Sequence, residues 1–303
     1  MKKIAVIGSI NMDMTVKTER VPCKGETIFG RDLHYTPGGK GANQAVAAAR
    51  LGGYVSMFGC VGEDSFGESL LNNLKEQRVR IENIRKISGV TSGLAIITVA
   101  ENDNIIVVVQ GANSFVTVEY LENVKEEILD HDIILLQNEI PKETIHYAIE
   151  FCYKAGKTII YNPAPAILLE KELIQKVSYL TPNEHEIMII MSDSTAEQTD
   201  SLERFIINYP EKLIVTMGSR GVKSADAEGI FLVPSLKSDV VDTTGAGDTF
   251  NGAFAYALSQ GQNFREALHL ANVAAGLSVE KEGAQAGMPN LEAVRNRKCN
   301  YGI

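Results

Sequence analysis

Apolar and amphipathic segments alternate along most of the chain. Several short runs are apolar at consecutive positions, which is typical of strands buried on both faces of a parallel sheet. These runs are residues 3–10, 55–61, 133–137 and 158–161. The segments between them that have the apolar spacing of helices include 44–51, 65–77, 119–129 and 142–155. Repeated β–α units of this kind predict an α/β fold with a central, mostly parallel sheet and right-handed crossovers.

A different pattern interrupts this alternation. Residues 93–100 and 105–110 are both β-rich, and the polar run 101–104 between them is typical of a hairpin turn. With further β-rich segments in residues 12–37, they predict a small antiparallel sheet outside the main body. We expect this sheet, from about residues 12–37 and 93–110, to form a lid over a site. Its exposed apolar face favours a homodimer.

Length and composition are those of a globular protein with a large core. The chain has 303 residues, 45% of them hydrophobic, and no Pro/Ser-rich linker or internal repeat divides it. We therefore expect one α/β domain spanning residues 1–303. The net charge is −9 and the basic residues are scattered, which excludes the basic surface of a nucleic-acid-binding protein.

The N-terminus and the cysteines carry no sign of export. Asn11 and Asp13 interrupt the first apolar run too early for a signal peptide, and no run approaches the roughly 18 residues of a membrane span. The four cysteines are far apart and form no CxxC pair, which disfavours a zinc site or a disulfide framework. We expect a cytoplasmic protein that does not associate with membranes.

The stretch 241–252, VDTTGAGDTFNG, is typical of an anion-binding loop that leads into a helix. Gly245, Ala246 and Gly247 have almost no side-chain bulk, so backbone N–H groups can point at a ligand, and the helix adds its positive end. Asp248 repels an anion, and its presence is explained if it accepts a proton from a group that attacks a phosphate. The alternative is that Asp248 caps the helix after a flexible loop.

Two other stretches carry polar groups suited to a ligand rich in hydroxyls. Asn11 and Asp13 are two residues apart after the first strand, so both side chains point to the same side of an extended segment. The loop 38–43, GGKGAN, lets a ligand approach the backbone and offers the amide of Asn43. The alternatives are turn-forming residues that close a strand and a glycine-rich connection without a ligand.

Further polar residues follow the predicted strands at their carboxyl ends, where open α/β sheets bind ligands. They include Glu139 and the runs 162–165 and 182–186. Asn183 and Glu186 are three apart at a predicted helix start, so their oxygens suit the water shell of Mg²⁺. The alternative is that the same two residues form a capping box.

In their order along the chain, these motifs resemble the ribokinase and phosphofructokinase-B family of sugar and nucleoside kinases. The resemblance runs nearly end to end and rests on six stretches. They are GSINMD (8–13), PGGKGANQAVAAARLG (37–52), NPAPA (162–166), TPNEHE (181–186), VTMGSRG (215–221) and DTTGAGDTFNGAF (242–254). The resemblance implies a three-layer α/β sandwich with a central, mostly parallel sheet and a small β-sheet lid.

The resemblance also implies transfer of the γ-phosphoryl group of ATP to the 5-hydroxyl of a pentose, D-ribose. Asp248 matches the base, and Gly245, Ala246 and Gly247 match the anion hole. The residues implied to bind the sugar are Asn11, Asp13, Gly39, Lys40, Asn43, Glu139 and Asp248. The residues implied to contact the nucleotide are Asn183, Thr216, Gly218, Gly221, Gly247 and Asn272.

Metal ions are implied as well. Glu186 completes an NxxE motif that is associated with Mg²⁺ bound together with ATP. A monovalent cation, K⁺, is implied beside the anion hole, held partly by backbone carbonyls, at Asp242, Thr244, Ser278, Lys281, Gly283 and Gly287. Two residues depart from the usual pattern, Asn138 where an apolar residue is common and Gly287 where serine is common.

Related substrates and a non-catalytic role are the alternatives. Kinases of 2-deoxyribose, fructose, a ketodeoxy acid or a nucleoside belong to the same family. Asn11, Asp13 and Asn43 form a polar set, whereas a nucleoside pocket needs aromatic or apolar surface to stack a base. A sugar or nucleotide sensor on the same fold has no need of Asp248.

Overall fold

The computed structural model describes residues 1–100, 103–191 and 198–301. Its strands in chain order are β1 (Ile4–Ile7), β2 (Asn11–Lys17), β3 (Arg31–Gly38), β4 (Val55–Gly62), β5 (Ile84–Ile87), β6 (Gly93–Ala100), β7 (Asp103–Val109), β8 (Ile133–Gln137), β9 (Thr158–Asn162), β10 (Tyr179–Leu180), β11 (Val215–Thr216), β12 (Val222–Asp226) and β13 (Gly229–Val233). Its α-helices are α1 (Lys40–Arg50), α2 (Ser65–Glu76), α3 (Val118–Asn123), α4 (Lys125–Leu129), α5 (Lys142–Lys154), α6 (Lys171–Lys176), α7 (Glu184–Ile190), α8 (Gln198–Asn208), α9 (Ala246–Ser259), α10 (Phe264–Ser278), α11 (Ala284–Gly287) and α12 (Leu291–Tyr301). Within the described ranges, no helix combines the length and apolar character needed to cross a bilayer.

Six strands form a parallel sheet in the order β10-β9-β8-β1-β4-β5. The central strand β1 explains the uninterrupted apolar run near the N-terminus, because its alternate side chains enter two different cores. Ile4 and Val6 pack in one core with residues of α1, α9 and α10, whereas Ala5 and Ile7 pack in the other with residues of α5 and α7. Helices therefore cover both faces of the sheet, which confirms the predicted layered α/β fold.

A three-stranded antiparallel sheet, in the order β11-β12-β13, adjoins the parallel sheet at β10. Two isolated parallel bridges make the connection, Leu180 with Leu213 and Asn183 with Thr216. The second bridge brings the turn that contains Asn183 beside the segment 216–221. Two stretches that are far apart in the sequence, both predicted at the nucleotide, thus become neighbours.

Four strands outside the parallel sheet form a second sheet, in the order β3-β2-β6-β7, which we call the lid sheet after its predicted role. The β2–β3 and β6–β7 pairs are antiparallel as predicted, but β2 and β6 are parallel, so the prediction of an antiparallel sheet is wrong for this pair. A parallel pair forms because the chain reaches β6 from β2 by a long crossover through α1, β4 and α2 rather than by a hairpin. In the turn predicted at 101–104, Glu101 and Asn102 lie outside the described residues.

Two predicted helices differ from the observed ones. The segment 119–129 forms two short helices, α3 and α4, which are separated at Val124. Helix α1 begins at Lys40, four residues before the predicted start, because Gly39 takes a φ of 87° and turns the chain directly into the helix. Lys40 and Asn43 therefore lie in the first turn of a helix, which fixes their positions more firmly than a loop would.

Candidate active site

Asp248 lies in the first turn of α9 and is 8% exposed. The N-cap residue of this helix is Gly245, which has a left-handed φ of 76°. The carboxylate of Asp248 accepts one hydrogen bond on each oxygen, from Nδ2 of Asn43 at 2.9 Å and from Nε2 of Gln44 at 3.1 Å. The alternative in which Asp248 caps the helix is therefore wrong, since its carboxylate is held by α1.

Backbone N–H groups at the start of α9 are free to bind a ligand. Within the described part of the chain, those of Gly245, Gly247 and Asp248 have no acceptor, whereas that of Ala246 donates to the carbonyl of Thr243 at 3.2 Å. A Cβ built on Gly247 would have no atom within 4 Å, so this side of the loop is open. A helix N-terminus with free N–H groups at an open surface is suited to bind phosphate.

Lys40 and Glu139 form a charged pair near Asp248. Oε2 of Glu139 accepts hydrogen bonds from the N–H of Lys40 at 3.0 Å and from the hydroxyl of Ser9 at 2.6 Å, and Nζ of Lys40 lies 3.7 Å from Oε1. Burial lowers the pKa of Lys40, but the attraction of Asp248 and other carboxylates outweighs it and leaves the pKa raised. Lys40 is therefore a fixed positive charge among carboxylates.

Asp13 and Asp248 both have raised pKa values. Burial, and then repulsion by Glu139 and Asp248, raises the pKa of Asp13 to about 7, although Lys40 opposes the shift. Burial also raises the pKa of Asp248, against the attraction of Lys40 and the hydrogen bonds from the two amides of α1. Carboxylates whose pKa is raised in a cleft are suited to accept and release protons near neutral pH.

A cavity of about 330 Å³ lies between the lid sheet and the segment that follows β8. Asn11, Asn113 and Glu139 line it, together with Val108 of β7. Asn113 holds Asn11 in place, because its Nδ2 donates to Oδ1 of Asn11 at 2.6 Å while its own Oδ1 accepts from the N–H of Ile10 at 2.9 Å. The volume lies in the range of small-molecule sites.

Asp13 and Gly39 occupy close-packed positions on the β2–β3 side of the site. The carboxylate of Asp13 packs on Gly38, where a Cβ would lie 2.2 Å from Oδ2. Among the described residues none donates a hydrogen bond to this carboxylate, so its oxygens are available to a ligand. A Cβ on Gly39 would lie 2.8 Å from the backbone nitrogen of Asn11. The packing therefore requires glycine at both Gly38 and Gly39.

Four residues predicted at the nucleotide lie on neighbouring segments. Thr216 is bridged to Asn183, and Gly218 and Gly221 follow with φ values of 54° and 94°. A Cβ on Gly221 would lie 2.0 Å from the carbonyl oxygen of Val233, whereas a Cβ on Gly218 would have no atom within 4 Å. Gly221 thus serves the backbone geometry of the turn, and Gly218 leaves open space beside it.

Three predicted ligand residues have side chains engaged within the protein. Oδ1 of Asn183 accepts from the N–H groups of His185 at 2.9 Å and Glu186 at 2.8 Å, and Oε2 of Glu186 accepts from the N–H of Asn183 at 2.8 Å. The two residues therefore form the capping box that was the alternative reading of this motif. Nδ2 of Asn272 donates to the carbonyl of Pro234 at 2.7 Å. Each side chain keeps one polar atom that has no hydrogen-bond partner among the described residues and is open to a ligand.

Asp242 joins the two loops predicted at the monovalent cation. Its Oδ1 accepts from the N–H and the hydroxyl of Thr244 at 2.9 and 2.6 Å, and its Oδ2 accepts from the N–H of Gly283 at 2.8 Å. Burial raises the pKa of Asp242, but these hydrogen bonds outweigh it and leave the pKa lowered. In the ranges that the structure describes, no three His, Cys, Asp or Glu side chains are grouped to hold a metal.

The two departures from the family pattern have local explanations. A Cβ at Gly287 would lie 2.3 Å from the carbonyl oxygen of Ser278 and 3.5 Å from that of Lys281, so this backbone leaves no room for serine. Two carbonyls predicted at the cation therefore approach the same residue. Asn138 accepts a hydrogen bond from the hydroxyl of Tyr161, and an apolar side chain at position 138 could not accept it.

The structure adds polar residues that the sequence pattern did not indicate. Gln44 contacts Asp248, Asn113 holds Asn11, and Ser9 donates to Glu139. These three added residues are at most 1% exposed. The available signal was their position, since a polar residue inside an apolar or Ala-rich segment needs a buried partner.

Comparison with known sequences gives a match along nearly the whole chain. The sequence profile of the group described as pfkB family carbohydrate kinase matches residues 1–291. A ribokinase from Lactococcus lactis is 47% identical over 296 residues, which cover 97% of this chain and 96% of that protein.

Two solved structures share the fold. A ribokinase from Thermotoga maritima superimposes with a TM-score of 0.87 and 35% identity, over 98% of this chain and 99% of that one. The ribokinase of Arabidopsis thaliana, solved in complex with ribose and ATP, gives a TM-score of 0.85 and 31% identity, over 97% of this chain and 98% of that one.

Proposed function

The chain belongs to the pfkB family of carbohydrate kinases, and we propose that it transfers the γ-phosphoryl group of ATP to the 5-hydroxyl of D-ribose. The products are ribose 5-phosphate and ADP. The observation that carries the proposal is the position of Asp248, whose carboxylate is oriented by two amides beside free N–H groups at a helix start. Similarity to a ribokinase solved with ribose and ATP supports the choice of substrates.

The proposed sugar site includes the cavity beside the lid sheet, which Asn11 and Glu139 line. The residues assigned to the sugar are Asn11, Asp13, Gly39, Lys40, Asn43, Glu139 and Asp248. Asp13 supplies acceptor oxygens without a donor in the described residues, and Lys40 supplies a charged donor that Glu139 holds in place. A site of this kind rejects analogues that lack a hydroxyl, because a buried polar group is then left unpaired.

Asp248 is the base in the proposed transfer. It accepts the proton of the 5-hydroxyl while that oxygen bonds to the γ-phosphorus, and the bond from the γ-phosphorus to the β-phosphate oxygen breaks to release ADP. The N–H groups of Gly245 and Gly247 stabilise charge on the transferred group, and Ala246 contributes less because its N–H already donates to Thr243. One well-aimed donor of this kind is worth on the order of 3 kcal/mol.

ATP is assigned to the loops that precede α7 and α9 and follow β11. The residues concerned are Asn183, Thr216, Gly218, Gly221, Gly247 and Asn272. Asn183 keeps its Nδ2 for the nucleotide, since only its Oδ1 serves the capping box. The open space at Gly218 lets a ligand approach the backbone there.

Two metal ions are part of the proposal. Glu186 keeps one carboxylate oxygen outside the capping box, which fits Mg²⁺ that is otherwise bound by water and by phosphate oxygens of ATP. Mg²⁺ bound there would neutralise charge on the phosphates. The carbonyl oxygens of Ser278 and Lys281 near Gly287, beside the loops joined by Asp242, fit a monovalent cation such as K⁺.

A second copy of this chain is the proposed partner of the lid sheet. Strand β7 is at the edge of this sheet, and Val107 lies opposite Ile96 on β6, with 55% and 38% of these apolar residues exposed. Val108 lines the cavity, so its neighbour Val107 points to the other face of the sheet.

Three further predictions are part of the proposal. Residues 1–303 form one domain, the lid sheet closes over the sugar, and the protein is cytoplasmic.

A coupled assay that follows ADP release with ATP and Mg²⁺ tests this function. Ribose, 2-deoxyribose, fructose and adenosine are compared at equal concentrations, and we expect the highest kcat/KM with ribose. A preference for another of these substrates would identify a related kinase instead. Binding of ribose without ADP release from any of them would identify a sensor.

A further inference from the structure

A chain of side-chain amides runs from α2 to the carboxylate of Asp248. Asn73 of α2 donates through Nδ2 to Oε1 of Gln285 at 2.8 Å, and Gln285 donates through Nε2 to Oδ1 of Asn43 at 3.0 Å. Asn43 in turn donates through Nδ2 to Oδ2 of Asp248 at 2.9 Å. The chain therefore connects α2, α11 and α1 with the base on α9.

A second, shorter chain reaches the other carboxylate oxygen. Gln137, the last residue of β8, donates through Nε2 to Oε1 of Gln44 at 2.7 Å, and Gln44 donates through Nε2 to Oδ1 of Asp248 at 3.1 Å. The same Nε2 of Gln44 also donates to Oδ1 of Asn162 at 3.1 Å. Each carboxylate oxygen of Asp248 thus ends one chain of amides.

The charge of Asp248 sets the direction of both chains. An ionised carboxylate only accepts hydrogen bonds, so Asn43 and Gln44 must each turn their NH₂ group toward Asp248. Their oxygens then point away from it and need donors, which Gln285 and Gln137 supply. A protonated Asp248 would have to present its own proton to an NH₂ group. The two chains therefore stabilise the ionised form, which accepts the proton of the sugar.

Burial makes these hydrogen bonds costly to lose. Gln44 is 1% exposed and Asn43 and Gln285 are each 6% exposed, so water does not readily replace a missing amide. Gln44 is not among the residues assigned to the sugar or to ATP, and its NH₂ group is directed at Asp248 and Asn162. Its influence on the reaction therefore passes through Asp248.

Gln137 has an unpaired side-chain oxygen, which is the energetic cost of keeping this direction of hydrogen bonding. Its Oε1 is buried and has no hydrogen-bond partner in the described residues, although its Nε2 serves Gln44. An unpaired buried oxygen destabilises the fold. The arrangement is explained if the NH₂ of Gln137 is needed to keep Gln44 turned toward Asp248.

We propose that Gln44 and Gln285 are positioning residues for phosphoryl transfer. Gln44 orients the carboxylate of Asp248 directly, and Gln285 orients it through Asn43. This inference rests on the proposed kinase function of the site.

Other charges also act on the proton of Asp248. Lys40 favours the ionised form and Glu139 opposes it, and the charge of Asp248 is felt in turn by Asp13 and Glu186. All four groups remain in a variant of Gln44. A difference between the wild type and that variant therefore reports the amide.

The test measures kcat as a function of pH at saturating ribose and ATP for the wild type, Gln44→Met and Gln44→Glu. Methionine keeps the length of the side chain but donates no hydrogen bond, so we expect kcat to fall about ten- to a hundredfold. The acid limb of the kcat profile should move up by about one pH unit, and further in Gln44→Glu, whose second carboxylate disfavours ionisation of Asp248. KM for both substrates should change less than about threefold, because Gln44 is assigned to neither substrate.

Gln262→Met is the matched control. Gln262 lies in the turn between α9 and α10 and belongs to neither chain of amides. Its buried Oε1, like that of Gln137, has no partner in the described residues. We expect this variant to keep the wild-type kcat and pH profile. Gln285→Met should lower kcat less than Gln44→Met, because Asn43 still reaches Asp248 when Gln285 is lost.

An unchanged kcat and acid limb in folded Gln44→Met, judged by thermal melting, would overturn the proposal. A fall in kcat with an unmoved acid limb would overturn it as well, since general damage to the site has that signature. If Gln44→Met does not fold, Gln285→Met is judged by the same two criteria. A wild type that releases no ADP with any sugar would contradict the proposed function itself. An active wild type whose Gln44 and Gln285 variants keep its kcat and pH profile would contradict only the positioning role.

Discussion

At the scale of single residues, the carboxylate of Asp248 combines burial, two amide donors and a nearby lysine. We expect Asp248→Asn to lower turnover at least about a hundredfold, the usual scale of general-base catalysis. Binding of ATP and ribose, measured by calorimetry, should be retained because the substitution keeps the shape of the side chain. Turnover near that of the wild type would rule out Asp248 as the base.

Asp13 gives a prediction about pH. The pKa of about 7 means that, without sugar, this carboxyl is increasingly protonated below pH 7 and then accepts fewer hydrogen bonds from sugar hydroxyls. We expect KM for ribose to rise as the pH falls through about 7, while KM for ATP stays constant. The same raised pKa stabilises the folded protein at low pH, and this contribution is lost as the pH rises from 3.8 to about 7.

Asp13→Ala provides the control for that profile. This variant should have a raised KM for ribose at every pH and an unchanged KM for ATP, and the dependence on pH near 7 should disappear. Equal weakening of both substrates would contradict the assignment of Asp13 to the sugar.

Much of the candidate site follows from the sequence because its residues sit in loops and helix starts with a distinctive composition. Asp248, Asn43 and the glycines around them stand out for that reason. Gln44 and Asn113 do not, since their importance depends on partners that are far away in the sequence and close only in the fold. The capping box at Asn183 and Glu186 has the same spacing as a ligand pair, so the sequence alone leaves both readings open.

At the scale of elements, the turn between β11 and β12 contains one glycine whose position leaves no room for a side chain. Gly221 has a φ of 94°, and a Cβ there would lie 2.0 Å from the carbonyl oxygen of Val233. Gly229 has a φ of 114°, but a Cβ there would have no atom within 4 Å. We expect Gly221→Ala to lower the free energy of unfolding by about 1–3 kcal/mol more than Gly229→Ala, measured by urea denaturation. Equal losses would mean that backbone strain, and not the contact with Val233, decides the effect.

The helices and buried strands of the α/β body follow from hydrophobic periodicity, because each apolar run is long enough to show its period. The parallel pairing of β2 with β6 does not follow from this periodicity, because a strand has the same alternating pattern whichever way its partner runs. The intervening crossover decides the direction of the pairing. The division of 119–129 into α3 and α4 at Val124 is likewise absent from the apolar pattern.

At the scale of the whole molecule, the exposed face of the lid sheet predicts self-association. We expect Val107→Lys to shift the protein toward the monomer, since a buried charge at an apolar interface is costly, with mass measured by light scattering after size-exclusion chromatography. Ile207→Lys is the control, because Ile207 is equally exposed, at 54%, but lies on α8. A wild type that is monomeric at high protein concentration would refute the proposed dimer.

Strand β2 begins with Asn11 and Asp13 and continues into the middle of the lid sheet, paired on one side with β3 and on the other with β6. Two of the residues assigned to the sugar and the middle of the sheet assigned to the partner copy therefore belong to one strand. A substitution at the start of β2 can also shift the sheet into which this strand continues. We therefore expect substitutions at the start of β2 that change the choice of sugar also to disturb the proposed surface between subunits, so that substrate range and quaternary structure change together.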